Sequence, residues 1–242
     1  MCAAFAVTPA TTAIGIMCKA PRAGRTKTRL AAHVGASAAA ELSACFLRDV
    51  AAAVEAVPVA LGRKGYGVYA PAGTEADLRD LFPPGFGLML QAGSDLGQAL
   101  FGAAKDLLRA GHNGVLLVNG DSPTLPPAFL SSAIEMLRQP GDRMVLGPAA
   151  DGGYYLIGLK QPHAHLFADI AWGTATVAQS TRRRAAEVGL AVAELPEWYD
   201  IDDAETLDWL RAELAGNPGR FRNGGKAPAT RALLAKLAGV VP

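Results

Sequence analysis

Val115-Leu116-Leu117-Val118-Asn119 is the stretch that most narrows the folds open to this chain. It is short, apolar until its last residue, and bounded by Gly114 and Gly120. A continuous apolar strand has no polar face to turn to water, so it belongs in the middle of a parallel sheet. It runs directly into Gly120-Asp121-Ser122-Pro123, and Pro126-Pro127 suit the first turn of a helix reaching about Gln139.

Further strand candidates are Ala13–Cys18, Tyr66–Ala70, Gly87–Gln91, Met144–Gly147, Tyr154–Leu159 and Ala191–Leu195. Between them lie helical stripes. Leu42, Phe46, Val50 and Val54 recur every four residues after a Ser37 cap, and Leu96, Leu100, Ala104 and Leu107 follow Ser94. Thr74 with Asp77 resembles a capping box for a short helix reaching Phe82, and Asp202 with Glu205 resembles another. Strands alternating with helices imply βαβ crossovers and helices on both faces of the sheet. The short turn Asp151-Gly152-Gly153 joins two strands directly, so the sheet is expected to be mixed. Residues 1–215 read as one domain, and 216–242 as a linker plus a short helix near Thr230–Leu237.

The 242 residues suit one α/β domain or two small ones, and 50% hydrophobic content supplies a sizeable core. A net charge of +1 excludes nucleic-acid binding by bulk attraction. Cys2, Cys18 and Cys45 lack metal-binding spacing and cannot all pair. Buried free thiols are expected, which fits a cytoplasmic location. Met1–Thr12 carry no basic segment, so no signal peptide is expected, and no run is long enough to span a bilayer.

Charge matters locally. Lys19, Arg22, Arg25, Lys27 and Arg29 crowd the loop Lys19–Leu30, with no acid before Glu41. The loop follows a strand and precedes a helix, as phosphate-binding loops do, so Pro21, Gly24 and Thr28 are expected to bind nucleotide phosphate together with the five cations. It matches neither GxxxxGK[ST] nor GxGxxG, so it is a different phosphate loop, or else a solvated surface turn. Asp121, at the end of a buried strand, can reach a divalent cation, or it can cap the helix that follows. Asp200-Ile201-Asp202-Asp203 places Asp200 and Asp202 on one side of an extended segment, where the pair can hold Mg²⁺. Asp151, Gly152, Gly153 and Tyr154 form a hairpin turn or a close approach to a ligand, and Trp172, Gly173 and Thr174 line an acceptor pocket or pack before a helix. Ligands in open α/β sheets bind beyond the C-terminal strand ends, where Lys19, Asp121 and the Asp200 loop all fall.

Five motifs stand in order: Lys19-x-Pro21-x-x-Gly24-x-x-Lys27-Thr28-Arg29-Leu30, Gly120-Asp121-Ser122-Pro123-x-Leu125, Gly147-Pro148-x-x-Asp151-Gly152-Gly153-Tyr154-Tyr155, Trp172-Gly173-Thr174 and Asp200-Ile201-Asp202. Together they resemble the bacterial GT-A-fold transferases associated with radical-SAM enzymes, labelled arsenosugar-biosynthesis glycosyltransferases. The loop and the Asp121 turn are also similar to 2-phospholactate and phosphoenolpyruvate guanylyltransferases. The resemblance implies a Rossmann-like three-layer α/β/α sandwich of the nucleotide-diphospho-sugar transferase type. It implies nucleotide binding over the N-terminal half and Mg²⁺ or Mn²⁺ at Asp121, helped by Asp200 and Asp202. Asn119-Gly120-Asp121 departs from the DxD motif of glycosyltransferases.

The expected function is metal-dependent transfer from a nucleotide-activated substrate, with glycosyl transfer from an NDP-sugar to a small-molecule acceptor first. Lys27, Arg29 and Asp121 are the expected catalytic residues. Nucleotidyl transfer releasing pyrophosphate is the alternative, a non-catalytic nucleotide-binding module the next, and a phosphohydrolase the last. Oligomeric state is open, a homodimer among the options.

Overall fold

The computed structural model describes residues 10–239; Cys2 and most of the segment read for a signal lie outside the described residues. Strand β1 (Thr12–Lys19) leads through the basic loop to α1 (Thr28–Val34) and α2 (Ala36–Ala56). There follow β2 (Arg63–Ala70), α3 (Glu75–Arg79), β3 (Gly87–Leu90), α4 (Leu96–Arg109), β4 (Gly114–Asn119) and α5 (Pro127–Arg138). The second half contains β5 (Arg143–Pro148), β6 (Tyr154–Leu159), α6 (Val177–Glu187), β7 (Ala191–Glu194), α7 (Ala204–Leu214) and α8 (Pro228–Leu237).

The strands form one mixed sheet in the order β3-β2-β1-β4-β6-β5-β7. Strand β4 sits at its centre, as its composition demands, parallel to β1 and antiparallel to β6. Alternation divides its side chains between two cores. Leu116 and Val118 join a core built with α2, α5, α7 and α8, while Val115 and Leu117 join one built with α4 and α6. Each such buried side chain contributes about 1.5–3 kcal/mol by leaving water. Only β6 runs against its neighbours, entering the sheet through the short turn after β5. The C-terminal ends of β1, β4 and β5 and the N-terminal end of β6 therefore share one rim.

The helix starts differ from expectation. Helix α1 interrupts the end of the basic loop; it has only seven residues and no side-chain cap, so no periodic stripe announces it. Helix α2 starts from Gly35 without a side-chain cap, because the Ser37 hydroxyl bonds Glu41 instead. The Thr74–Asp77 box does not form: the Thr74 hydroxyl donates to the Pro71 carbonyl at 2.7 Å, and α3 ends at Arg79, short of Phe82. Helix α4 is capped by Asp95, whose carboxylate takes the Gln98 N–H.

Helix α8 packs on α2. The buried Asp49 carboxylate of α2 accepts the Ala229 and Thr230 N–H groups at 3.0 and 2.8 Å, capping α8 across 180 and 181 residues of sequence. No helix among the described residues is long and apolar enough to cross a membrane.

Candidate active site

The basic loop leaves β1 and folds back on itself. The Arg25 and Thr26 N–H groups donate to the Arg22 carbonyl, and the Thr26 hydroxyl donates to the Ala20 carbonyl at 3.0 Å. These bonds place Lys27 at the start of α1 with φ 53° and ψ 50°, a left-handed conformation that side-chain-bearing residues seldom adopt. Its side chain turns inward and is only 6% exposed.

Two acidic turns meet it there. Asp121 follows β4, and the Asp200–Asp203 segment follows Tyr199. They are tied together: the Ile201 N–H donates to the Asp121 carbonyl at 2.9 Å, and the buried Ser122 hydroxyl donates to the Tyr199 carbonyl at 2.7 Å. Lys27 Nζ lies 2.8 Å from Asp121 Oδ2 and 2.6 Å from Asp202 Oδ1. Arg29 Nη2 reaches Asp202 Oδ2 at 2.5 Å. The cap of α7 belongs to Asp203, with Thr206 as its box partner, and not to Asp202 with Glu205. That one-residue difference leaves the Asp202 carboxylate to the two cations.

Burial alone would lower the Lys27 pKa, but Asp121 and Asp202 outweigh it and raise it, so the ammonium stays charged. Burial alone would raise Asp202; Lys27 and Arg29 outweigh it and hold the carboxyl below its usual range. Asp200 differs. Burial, then the Asp202 and Asp151 carboxylates, push it up to about 7 against the partial relief of Lys27, and no hydrogen bond among the described residues reaches it. Cys18, at the end of β1, is pushed up to about 12, chiefly by burial and then by Asp121, so it is an inert thiol.

A cleft of about 430 Å³ opens over this cluster. Lys19, Arg25, Lys27 and Arg29 line it with Asp121 and Asp202. Gln91 and Asn119 supply uncharged amides to the same wall. The Gln91 amide nitrogen donates to the Cys18 and Val68 carbonyls at 3.2 and 2.8 Å, which fixes its Oε1 as a free acceptor. Asn119 Oδ1 is buried without a partner. Gln91, with Ser43, Leu47 and Leu96, escaped the sequence reading; none carries a charge or motif that would single it out.

Not every expected residue reaches the cleft. Arg22 turns to Asp77 on α3, with Nη2 2.6 Å from Oδ2, while Pro21 and Gly24 shape the loop outside the cleft lining. Asp151 accepts the Gly153 N–H at 2.8 Å and lies near enough to raise Asp200. Gly152 has φ 87°, and a Cβ there would stand 2.1 Å from the Ala175 carbonyl oxygen, so glycine lets this turn pack on the chain leading into α6. Trp172 packs edge-on against Tyr154, with ring centroids 6.4 Å apart, and covers Gly97. Gly173 and Thr174 sit beside it, exposed, outside the cleft lining.

The donor set suits a hard divalent cation. Asp121 and Asp202 offer carboxylate oxygens, and Asp200 is a third carboxyl within their field. Among the described residues no three acids converge on one point, and the ammonium of Lys27 stands between two of them.

Residues 65–174 match the family model described as an uncharacterized protein conserved in bacteria (DUF2064). No curated protein sequence matches the chain. Among solved structures, a protein of Desulfovibrio desulfuricans G20, provisionally named a nucleotide-diphospho-sugar transferase, is similar with TM-score 0.81 and 28% identity, over 96% of this chain and 98% of that one. A cytidylyltransferase from Leptospira borgpetersenii serovar Hardjo-bovis aligns with TM-score 0.52 and 13% identity over 95% and 94% of the two chains. Glucosyl-3-phosphoglycerate synthase from Mycobacterium tuberculosis, solved with Mn²⁺, UDP and glucosyl-3-phosphoglycerate, aligns with TM-score 0.51 and 11% identity over 96% and 81%. Two of these three neighbours are transferases by name, and the third is a synthase solved with a nucleoside diphosphate. The fold is the Rossmann-like fold of nucleotide-diphospho-sugar transferases and nucleotidyltransferases.

Proposed function

We propose that this chain is a metal-dependent transferase acting on a nucleotide-activated substrate, moving a glycosyl group from an NDP-sugar to a small-molecule acceptor. One observation carries the reading: cations from the first loop and acids some 95 and 175 residues further on meet at a single cleft, with Lys27 touching both Asp121 and Asp202. A site that gathers both signs of charge suits a polyphosphate and its cation. Asp121 and Asp202, with Asp200 beside them, would hold Mg²⁺ or Mn²⁺. When bound, the metal would neutralise phosphate oxygens as the leaving group departs.

The chain's own groups do the rest. Lys19, Arg25, Lys27 and Arg29 bind and orient the phosphates and stabilise charge developing on the leaving nucleoside diphosphate. Gln91 and Asn119 line the same wall and offer hydrogen bonds to the nucleoside. Asp151, near Asp200, and the hairpin through Tyr154 face the acceptor, with Trp172–Thr174 behind them. Residues 1–215 form the transferase unit, and 216–242 are appended to it. The kinship to radical-SAM-associated transferases belongs to this reading and rests on the five ordered motifs.

A second reading has its own support. Four cations line the cleft, more than a diphosphate requires, which suits a triphosphate and nucleotidyl transfer. Incubation with UDP-sugars and with each NTP, with and without Mg²⁺ or Mn²⁺, separates the two. Free nucleoside diphosphate supports the first and pyrophosphate the second. Metal-independent nucleotide binding that survives Asp121→Ala, without turnover, would leave only a binding module.

A further inference from the structure

We propose that Lys27 is the resident cation of the divalent-metal site, so that a free metal ion must compete with it for Asp121 and Asp202 and the site accepts metal mainly together with a polyphosphate. The inference rests on the reading above for the identity of the site. Its physical basis is the geometry of three side chains.

Lys27 Nζ is within 2.8 Å of Asp121 and 2.6 Å of Asp202. Those two carboxylates are 36% and 33% exposed and face the cleft, whereas the lysine side chain is 6% exposed behind them. Arg29 holds the other oxygen of Asp202. Two carboxylates and two cations leave this cluster neutral. A divalent ion arriving alone finds both of these carboxylates already compensated and must dislodge the ammonium that Asp121 and Asp202 hold. A metal–polyphosphate complex brings that partner with it: the phosphate oxygens take Lys27 and Arg29, and the carboxylates turn to the metal. The exchange is a coupling between two ligands, so each raises the affinity of the other by the same factor.

The parts differ in freedom as the exchange requires. The acidic turns are fixed to one another through Ile201 and Ser122. The Lys27 backbone is held as well, by the Thr26 bonds before it and by the Ala31 N–H on its carbonyl at 2.8 Å, but its side chain is a flexible four-carbon stem. The acids sit on the fixed turns, and the lysine stem is the part that can swing.

The test uses Mn²⁺ alone. The full chain is titrated with Mn²⁺ in the absence of any phosphate, and free Mn²⁺ is read by electron paramagnetic resonance. Lys27→Met keeps the stem and removes the charge, and is expected to bind Mn²⁺ at least tenfold more tightly than the wild type. Asp121→Asn in the Lys27→Met background should abolish that gain. In parallel, the wild-type protein is pulse-labelled with acetic anhydride, and acetylation of Lys27 is read by mass spectrometry. Labelling should be low in metal-free buffer and rise as Mn²⁺ occupies the protein. Equal or weaker Mn²⁺ binding by Lys27→Met would overturn the proposal. So would Lys27 labelling that stays flat while Mn²⁺ binds, an arm that decides the matter even if the variant fails to fold. No nucleotide is present, so a negative result leaves the transferase reading standing, and absent turnover leaves this one standing.

Discussion

Asp203 caps α7 by accepting the Thr206 N–H at 3.0 Å, while its neighbour Asp202 turns the other way to Lys27 and Arg29. Adjacent carboxylates in one extended segment thus serve a helix and a cleft separately. Asp203→Ala should cost about 1 kcal/mol, the usual worth of such a cap. In a chain of this size that lowers Tm by about 2–4 °C. Asp202→Asn should instead abolish metal-dependent turnover, because it removes a candidate metal ligand and frees Arg29. Thermal melts beside turnover assays check the division; equal losses of turnover would refute it.

The Asp200 carboxyl makes stability depend on pH. Its folded pKa is pushed to about 7, above the ordinary 3.8. Between those values the folded protein keeps a proton that the unfolded chain has released. The resulting stability is fully present below about pH 4 and is lost as pH rises to about 7. In EDTA, the Tm of the wild type should fall over that range more than that of Asp200→Asn. At pH 8 the variant should melt higher, and near pH 4 the two should coincide.

Asp49 anchors the C-terminal helix. Asp49→Ala leaves the Ala229 and Thr230 N–H groups without their acceptor and should cost about 1–2 kcal/mol. Deleting residues 228–242 should cost more, since it also uncovers the face of α2 on which α8 rests. Urea unfolding of the two variants gives both numbers.

Gln91 offers a prediction about the ligand. With its amide nitrogen held by two backbone carbonyls, only its Oε1 is available to a bound molecule. Gln91→Leu should weaken nucleotide binding about tenfold, in line with a lost hydrogen bond of about 1–1.5 kcal/mol. Mn²⁺ binding to the nucleotide-free protein should not change. Calorimetric titration of the variant with each ligand separates the two effects.

The sequence made some of this legible and hid the rest for identifiable reasons. The parallel sheet could be read from Val115–Asn119, because a strand buried on both faces cannot hide its composition. The reversed β6 could be read from Asp151-Gly152-Gly153, since so short a link leaves no room for a crossover. The meeting of the basic loop with Asp121 and Asp202 followed from placing each after a strand. Caps were less legible: Thr74, Ser37 and Asp202 each had the right neighbours, but each side chain found a nearer or stronger partner in three dimensions. Arg22 looked like its fellow cations until α3 brought Asp77 to it. Gln91 could not be found at all, because only the fold reveals that its amide is half occupied.

The direction of β6 matters beyond this molecule. Because that strand enters from the rim, the link before it is a hairpin, and Asp151 comes near Asp200 without the weight of a crossover helix. The link is pinned on both sides: the Ala150 N–H donates to the Trp198 carbonyl at 2.9 Å, and the Gly152 carbonyl accepts the Ala178 N–H at 3.0 Å. A change of length there would break both bonds and shift Asp151 against Asp200, so this hairpin and the Asp200 segment are constrained to vary together, while β1, β4 and the basic loop are not tied to it.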